Sequence, residues 1–475
     1  MGAKGSLILL TLVCVVLGIL RMDHAPIPSA SNKGRIELEF WNGFTGPDGR
    51  VMLELVRQFN EANPDVHVSM QRIAWGTYYN KVMVSAIGGR GPQVYVLQSW
   101  YMPRMERAGI IAPIDDLFDD AFFKDFDPRL MDRVRFGEHR LGVPLDVWPQ
   151  GLYCNGDMMK QVGLTNPDGS PRGPANLDEF KRACAELKKD TDGNGTIDQW
   201  GFSLANWGYM FMALVPQFNG GYVDEQGNMT LNTPGNVAAL QFMVDLLQKD
   251  HLIPSPEAGV AGWVGFRQKK VAMVIEGIYM VGDLKRLTDH PYFGAPIPKL
   301  GQKPGTWIDS HVLCIRNGVS PEERDAAARF IRFVSDHSLA WADAGQVPAR
   351  TTVRESDGFK KLQVQYAFSQ QLPYGMFCPK TPSMQELQNF LNLGIEKAIR
   401  GRMSAADALK EADENFKRYL ERDRMERELA TGGASESSPS HERHGVHVPD
   451  TVCVGLSRVR RAAVHRFARA GVLSI

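Results

Sequence analysis

Aromatic and polar side chains lie together at several inferred strand ends and turns of this sequence. In α/β folds ligands bind beyond the carboxyl ends of the strands, so residues at those positions are candidates for ligand contact. A flat ring can pack on an apolar ligand face, while carboxylate, amide or guanidinium groups can hydrogen-bond to a polar rim. The candidates of both kinds are Trp41, Asn42, Phe44, Trp100, Asp146, Trp148, Trp263, Glu276, Tyr279, Trp307, Asp309 and Arg350.

Burial in a core is the competing interpretation for each tryptophan, because large aromatic side chains are usually packed inside. The tryptophans for which we expect a core position are Trp75, Trp200 and Trp341. Those for which a position at a strand end favours ligand contact are Trp41, Trp148 and Trp307. Glu276 directly precedes Gly277 and could instead be a solvated turn residue.

An acidic loop, "DTDGNGTID", occupies residues 190–198 and has the spacing of a calcium-binding loop. Its oxygen ligands at positions one, three, five and nine would be Asp190, Asp192, Asn194 and Asp198. Gly201 stands at the twelfth position, where a bidentate glutamate is needed. We therefore predict a surface turn without metal, and keep a structural calcium site as the weaker alternative.

Composition is that of an ordinary globular protein. The 475 residues, with 43% hydrophobic and 23% charged, are enough for two or three structural units. Lys+Arg and Asp+Glu are equal at 54 each, so overall charge gives no argument for a nucleic-acid partner. The six cysteines are widely spaced without a CxxC pair, which argues against a zinc site. We expect buried free thiols, with a single disulfide as the alternative.

The two ends of the chain differ from its middle. Residues 1–32 contain a lysine, an apolar run from Leu7 to Leu20 and a polar segment, the layout of a signal peptide or a short uncleaved anchor. We therefore predict a periplasmic or extracytoplasmic location, with anchoring through the N-terminus as one form of it. Residues 431–475 are polar and turn-forming, then arginine-rich, and predict a disordered basic tail; a membrane-surface helix is the alternative.

Between these ends the hydrophobic pattern alternates between strand and helix periods. "RIELEFWN", "VHVSMQRI" and "PQVYVLQS" predict three strands, separated by two segments of helical periodicity, which is the pattern of a parallel α/β fold. Ser320, Pro321 and Glu323 form a capping box that begins a later helix. Two further helices are predicted at about 383–401 and 404–428.

Seven segments follow one another along the chain: "LEFWNGFTGPDGRVMLELVRQFNEANPDVHV", "WGTYYNKVMVSAIGGRGPQVYVLQ", "PLDVWPQGLYCNGDMM", "DTDGNGTIDQWGF", "KKVAMVIEGIYM", "GTWIDSHVLCIRN" and "GQVPAR". In this order they resemble the extracellular solute-binding proteins of the maltose-binding type, which serve ABC importers of sugars. The resemblance spans about residues 35–425. The positions that fit the family signature are Pro144, Leu145, Asp146, Gly151, Leu152, Tyr153 and Asn155. Cys154 stands where tyrosine is usual, and Gln161 departs from the signature as well.

The resemblance implies a type II periplasmic-binding-protein-like fold, in which two α/β lobes of discontinuous chain enclose a cleft. We expect the N-terminal lobe to hold residues 33–146 and 309–347, and the C-terminal lobe to hold 147–308 and 348–430. The crossings would fall near Pro144–Val147, Trp307–His311 and Val347–Arg350. Closure about these hinges would bury the ligand.

The resemblance also implies a ligand class, a sugar or oligosaccharide. Trp148 is then expected to stack on the apolar face of a sugar ring, and Asp146 to accept hydrogen bonds from its hydroxyls. ABC permease subunits would be the protein partner. The protein is expected to act as a monomer, with no cofactor, no nucleic acid and no chemistry done on the ligand.

Two other functions remain open at this point. A sugar-sensing module that serves a membrane receptor would carry the same cleft. A secreted carbohydrate-active enzyme would also carry tryptophans and acids. Against an enzyme, the sequence holds no GxSxG, HExxH or P-loop motif, and nothing in it places two acids across one cleft.

Overall fold

The computed structural model describes residues 34–432 except 259, 261 and 288. The predicted leader at 1–32 and nearly all of the predicted tail at 431–475 lie outside the described residues. The strands are β1 (Ile36–Asn42), β2 (Val66–Arg72), β3 (Val94–Gln98), β4 (Arg135–Phe136), β5 (His139–Arg140), β6 (Val143–Pro144), β7 (Asp146–Asn155), β8 (Trp200–Phe202), β9 (Val271–Gly277), β10 (Tyr292–Ala295), β11 (Thr306–Asp309), β12 (His311–Ile315), β13 (Val347–Pro348) and β14 (Gly375–Met376).

The helices alternate with these strands, which confirms the mixed α/β class. They are α1 (Asp48–Ala62), α2 (Trp75–Ile87), α3 (Met102–Arg107), α4 (Asp120–Phe123), α5 (Pro128–Val134), α6 (Gly156–Gln161), α7 (Leu177–Glu186), α8 (Trp207–Leu214), α9 (Pro234–Gln248), α10 (Gly262–Arg267), α11 (Val281–Leu287), α12 (Pro321–Asp336), α13 (Ser338–Asp343), α14 (Thr351–Glu355), α15 (Asp357–Lys360), α16 (Gln363–Ser369), α17 (Met384–Ile399) and α18 (Ala405–Gly432). The capping box of Ser320 and Glu323 at the start of α12 is confirmed. None of the described helices is long and apolar enough to span a bilayer.

The first sheet has the strand order β2-β1-β3-β12-β6. Strand β1 lies parallel to β2 and β3, and β12 returns antiparallel to β3. Its two faces serve different clusters, because side chains alternate along a strand. On β3, Val94 and Val96 join the cluster with α1 and α12, while Tyr95 and Leu97 face the cluster that continues into the rest of the molecule. Phe330 of α12 packs in the same cluster as Val94 and Val96, with its ring 5.1 Å from that of Phe40.

The second sheet has the order β14-β11-β7-β9-β8, with β10 and β13 also paired to β7. Strand β7 is buried along all of its ten residues. Its length lets it pair with β13 near its start and with β9 and β10 towards its end. The strand that carries the signature segment is therefore the central strand of the second sheet.

The chain passes between the sheets at neighbouring points. It leaves the first sheet after Pro144 of β6 and enters β7 at Asp146; it leaves the second sheet after Asp309 of β11 and enters β12 at His311. The backbone N–H of Leu145 donates to the carbonyl of His311 at 2.8 Å, so the two crossings are tied together. We propose these two points as the boundaries between the lobes.

The third crossing was expected near Val347–Arg350, and the packing that follows β13 favours a later position. After β13, the backbone N–H of Thr351 donates to the carbonyl of Asp125 at 2.7 Å, and Phe359 of α15 belongs to the cluster of the first sheet. Helix α16 is the next element, and it packs on β10 and β7. This packing favours a boundary near residue 361 rather than at 348, and we propose it there.

The cysteines of the described chain are all free and buried: Cys154, Cys184, Cys314 and Cys378. This confirms the expectation of free thiols for these four. Cys14 and Cys453 lie outside the described residues.

Candidate functional site

A cavity of about 810 Å³, which we call the main cleft, lies between the two sheets. Its walls carry aromatic rings together with acids, amides and one arginine. The lining side chains include Asp48, Trp75, Tyr79, Gln98, Trp100, Arg104, Trp148, Tyr209, Tyr279, Asp283, His311, Gln346, Gln385, Glu386, Gln388 and Asn389. This volume lies within the range of small-molecule binding sites.

The first wall is built at the carboxyl ends of the parallel strands. Asp48 begins α1 after β1, Trp75 begins α2 after β2, and Trp100 follows β3. Tyr79 is held between these elements, because its hydroxyl donates to Oε1 of Gln98 at 2.9 Å and its ring stacks on Tyr101 at 3.8 Å. This wall obeys the rule that places ligands beyond the carboxyl ends of strands in α/β folds.

The second wall comes from the second sheet and its helices. Trp148 projects from β7, Tyr279 follows β9, and Tyr209 lies on α8. The ring of Trp307 supports two of these from behind, at 5.0 Å from Trp148 and 4.8 Å from Tyr209. The aromatic residues on this wall therefore have their orientation set by edge and tilted ring contacts.

The hinge forms the floor of the main cleft around Asp146. Its carboxylate accepts hydrogen bonds from the backbone N–H of His311 at 2.9 Å, from Nδ1 of the same histidine at 2.9 Å, and from Nε1 of Trp341 at 2.8 Å. Because a carboxylate accepts, Nδ1 carries the proton in this contact, and Nε2 is the ring nitrogen left for a ligand. The imidazole lies 5.6 Å from the ring of Trp75 and nearly parallel to it.

Unpartnered polar atoms lie at the same floor. Gln346 is fully buried, and neither of its side-chain polar atoms has a partner in the described chain. The same holds for Nε1 of Trp148. Since buried polar groups in native proteins are almost always hydrogen-bonded, unpartnered groups that line a cavity point to a ligand.

The acids of the main cleft are of two kinds. Glu386 pairs with Arg104 across the cleft, and Asp283 pairs with Arg267 at 3.2 Å. Asp48 has no cationic partner among the described residues, and burial raises the pKa of its carboxyl. Asp48 instead accepts a hydrogen bond from the backbone N–H of Gly49 at 2.8 Å.

Three of the predicted site residues line the main cleft: Trp100, Trp148 and Tyr279. Two more line a neighbouring cavity of about 580 Å³, the second cavity: Trp263 and Glu276. Glu276 is not a solvated turn residue, because it is 7% exposed and burial raises the pKa of its carboxyl.

Six predicted residues are buried outside the lining of the main cleft: Trp41, Asn42, Phe44, Asp146, Trp307 and Asp309. The expectation that Asp146 faces the cleft is wrong, since its oxygens are used by His311 and Trp341. Phe44 packs instead against those same two rings, at 5.0 and 4.7 Å. Burial raises the pKa of Asp309 to about 6, although Arg133 and Ser99 act in the opposite direction.

Arg350 lies away from the main cleft. Its guanidinium pairs with Asp125 at 2.7 Å and also with Asp336, both on the side of the first sheet. It was expected to contact a ligand, but it lies outside the lining of the main cleft, and both arms of its side chain serve an ion-pair network.

The cleft residues that we did not predict include one tryptophan assigned to the core. Trp75 is half-buried and lines the main cleft, whereas Trp341 is fully buried as expected. The position of Trp75 just beyond β2 was the signal that could have identified it. His311 and Gln346 carried no such signal, because they follow a short crossing and a helix end.

The acidic loop is closed by its own backbone. Asp190 accepts from the N–H groups of Gly193 at 2.8 Å and Gly195 at 2.7 Å, and Asp198 accepts from Thr191 at 2.8 Å. Within the described residues no group of three His, Cys, Asp or Glu side chains is arranged to hold a metal ion. The carboxylates that a calcium ion would need thus already serve the turn.

Comparison with known proteins agrees with this architecture. Residues 45–338 match the family described as bacterial extracellular solute-binding protein. The maltotriose-binding protein of Pyrococcus abyssi is 20% identical over 377 residues, covering 77% of this chain and 78% of that protein. The arabinooligosaccharide-binding protein of Bacillus subtilis is 26% identical over 272 residues, covering 54% of this chain and 58% of that protein.

Solved structures show the same two-lobed fold. The maltose/maltodextrin-binding domain from Bdellovibrio bacteriovorus, bound to maltotriose, superposes with a TM-score of 0.70 at 21% identity, covering 81% of this chain and 100% of that one. The maltotriose-binding protein of Thermus thermophilus gives 0.67 at 20% identity, covering 81% and 100%. These relatives are binding proteins, and the chain belongs to the family of bacterial extracellular solute-binding proteins.

Proposed function

We propose that this protein is the extracytoplasmic binding component of an ABC importer, and that it captures a sugar or oligosaccharide in the main cleft. The observation that carries the proposal is the combination of rings on both walls with unpartnered polar atoms at the floor. A sugar ring has an apolar face and a rim of hydroxyls, so it needs both kinds of group. The relatives named for maltotriose and arabino-oligosaccharides support the same class.

The site residues in this proposal have separate roles. Trp75 and Trp100 provide flat surfaces on the first wall, and Trp148 and Tyr279 provide them on the second. Gln346 and His311 offer hydrogen bonds from the floor. Asp146 does not touch the ligand; it positions His311 and joins the crossings, so that the orientation of the imidazole depends on the hinge.

The pairing of two lining acids supports transport rather than chemistry in this proposal. Two of the lining carboxylates, Asp283 and Glu386, are engaged by arginines, so neither is free to act as a nucleophile. The Arg104–Glu386 pair spans the two walls, which suits a cleft that opens and closes. In this proposal permease subunits recognise the closed form, and the protein acts as a monomer without cofactor or nucleic acid, held outside the cytoplasm by its leader or anchor. A sensing role would use the same cleft, and only the membrane partner distinguishes it.

A ligand panel with two tryptophan variants tests the proposal. We expect maltotriose, an arabinotriose or a related sugar to raise the melting temperature of the protein, because a ligand that binds only the folded state stabilises it. Trp75→Ala should weaken binding at least about tenfold in calorimetric titration, as truncation of a buried aromatic contact does. Trp200→Ala is the matched control, since Trp200 is also half-buried but lies outside the main cleft. Binding of peptides or phosphorylated polyols, with no response to any sugar, would overturn the ligand class.

A further inference from the structure

Asp309 is a buried carboxylate at the hinge that lies outside the lining of the main cleft. It is the last residue of β11 in the second sheet. The hydroxyl of Ser99, which follows β3 of the first sheet, donates a hydrogen bond to Oδ1 of Asp309. The backbone N–H of Ser99 also donates to the carbonyl of Ser310 at 2.8 Å. The contacts of Asp309 therefore cross the proposed boundary between the lobes.

A buried guanidinium from the N-terminal lobe lies beside this carboxylate. Nε of Arg133, on α5, donates to Oγ of Ser99 at 3.2 Å. The ring of Phe377, which follows β14, lies 5.3 Å from the same guanidinium. Nη2 of Arg133 and Oδ2 of Asp309 are both buried and have no hydrogen-bond partner among the residues that the structure describes. The cation and the carboxylate are thus linked through Ser99 rather than by a direct ion pair.

This cluster of Ser99, Arg133 and Asp309 can adopt two arrangements. Opposite charges that are buried without pairing directly are costly, because each loses its hydration. A proton on Asp309 removes one of the two charges and keeps the contact with Ser99. Alternatively, a small rotation at the hinge lets Oδ2 of Asp309 accept directly from Nη2 of Arg133. The two arrangements therefore differ both in protonation and in the relative position of the lobes.

Titratable groups from several elements face the Asp309 carboxyl. Burial raises the pKa of Asp309 to about 6, while Arg133 of α5 and His311 of β12 act in the opposite direction. The neutral groups that face it are Tyr79 of α2, Tyr209 of α8 and Cys378 after β14. Burial raises the pKa of each of these three, so they stay uncharged at neutral and acidic pH. In this arrangement Asp309 therefore keeps its proton up to about pH 6.

The arrangement of the lobes in this structure is a closed one. Two ion pairs join the walls of the main cleft. Arg104 of α3 pairs with Glu386 of α17, and Nζ of Lys285 on α11 lies 2.7 Å from Oδ1 of Asp343 on α13. Opening of the cleft would break both pairs. The surroundings of Asp309 described above therefore belong to the closed form, the one that would hold a ligand.

We propose that Ser99, Arg133 and Asp309 form a proton-controlled contact between the lobes, in which closure around a ligand is coupled to uptake of one proton from solvent by the Asp309 carboxyl. Opening moves Ser99 and Arg133 relative to Asp309, because they belong to the other lobe. Water or the guanidinium then favours the ionised carboxylate. Because linkage is reciprocal, the protein binds its ligand more tightly as the pH falls. This inference rests on the proposed function and adds regulation by pH to it.

Calorimetric titration with maltotriose and with arabinotriose tests this coupling. Titrations from about pH 4.5 to about pH 7.5, in buffers of different ionisation enthalpy, give both the affinity and the number of protons taken up. At about pH 5 the parent should take up close to one proton more per bound sugar than Asp309→Asn does, and above about pH 7 the two should agree. Because asparagine cannot ionise, Asp309→Asn should bind at least about tenfold more tightly than the parent at about pH 7.5. A purely structural role of Asp309 would not produce this gain.

Ser99→Ala is the second variant, and it decides the question if Asp309→Asn does not fold. It removes the hydrogen bond that lowers the pKa of Asp309, so proton uptake should extend to higher pH. Ser335→Ala is the matched control, because Ser335 is also buried but lies on α12, and it should leave the pH dependence unchanged. Melting curves at each pH would show which variants are folded. The same proton uptake and pH dependence in the parent and in the folded variants, with sugar bound, would overturn the coupling while leaving the proposed function intact. Absence of sugar binding at every pH would overturn both.

Discussion

Asp146 at the hinge and two polar side chains that line the main cleft above it differ in how their buried polar atoms are hydrogen-bonded. Asp146 at the hinge accepts three hydrogen bonds from His311 and Trp341. Two residues further along β7, Nε1 of Trp148 is buried and has no partner among the residues that the structure describes, and the same is true of both side-chain polar atoms of Gln346. Satisfied polar atoms stabilise a fold, whereas unsatisfied ones cost free energy that a ligand can recover. The comparison therefore distinguishes Asp146, which stabilises the hinge, from Trp148 and Gln346, which we propose as ligand contacts.

The largest expected effect is the loss of the hinge carboxylate. Asp146→Ala should lower the free energy of unfolding by about 3–5 kcal/mol, because the buried donors of His311 and Trp341 lose their acceptor. Urea unfolding would measure this. Asp146→Asn keeps one acceptor oxygen and should lose less. A loss below about 1 kcal/mol in Asp146→Ala would show that these contacts do not hold the hinge.

Asp309 is a second buried carboxylate at the hinge, but only one of its two oxygens has a side-chain hydrogen-bond donor. One oxygen accepts from the hydroxyl of Ser99, and Oδ2 has no partner among the described residues. Burial raises its pKa from 3.8 to about 6, so the folded protein holds the proton more tightly than the unfolded chain does. The contribution of this group to stability is thus complete below about pH 4 and is lost as the pH rises to about 6.

This sign gives a measurable pH dependence. Relative to Asp309→Asn, the parent should lose about 3 kcal/mol of unfolding free energy in total as the pH rises from below 4 to above 6, most of it between pH 4 and pH 6. Urea unfolding of both proteins across pH 4 to 8 would give the difference between their unfolding free energies. Because all other titrating groups are the same in both proteins, their contributions cancel in this difference. Parallel curves for the two proteins would contradict a raised pKa at Asp309.

Local patterns predicted the elements of the fold, whereas site residues were predictable only in part. The capping box of Ser320 and Glu323 is a short-range signal and begins α12 as expected. Asp146 lies at the first crossing that we propose, but it is buried outside the lining of the main cleft, since its donors His311 and Trp341 are 165 and 195 residues away. No periodicity of β7 reports on such distant partners.

The tryptophans also show that local sequence patterns do not predict which side chains face the cleft. Trp148 and Trp307 both lie near strand ends, but only Trp148 lines the main cleft, and Trp307 packs behind it. Trp75 would have been found by applying the strand-end rule to β2 as well as to β1. Arg350 lies close to β13 and was therefore assigned to the cleft, yet its partner Asp125 is 225 residues away. Sequence thus predicts proximity to a crossing better than it predicts which way a side chain points.

A smaller effect, of opposite sign, is expected in the main cleft. Gln346→Leu removes two unpartnered buried polar atoms and should raise the free energy of unfolding by about 1–2 kcal/mol without ligand. It should also weaken sugar binding. Gln365→Leu is the control, because the equally buried Gln365 donates to the carbonyl of Ala342 at 3.0 Å and its loss should destabilise. If both variants lose stability, Gln346 belongs with the satisfied groups and the contrast with the hinge is wrong.

The smallest expected effect concerns calcium at the acidic loop of residues 190–198, where carboxylates are also used by the protein itself but at the surface. Asp190 already accepts from the N–H groups of Gly193 and Gly195, and these backbone bonds lower the pKa of its carboxyl. A calcium ion would need its oxygens and a bidentate carboxylate at residue 201, which is glycine. Melting curves recorded with excess chelator and with millimolar calcium should therefore superimpose.

A melting temperature that rises with calcium concentration would show that the ion binds the folded state, because mass action makes the stability of a folded protein depend on the concentration of its ligand. Asp192→Asn would then locate the site: its carboxylate fills the third ligand position but accepts only from Asn194, so the substitution should abolish a calcium effect while leaving the turn closed by Asp190 and Asp198.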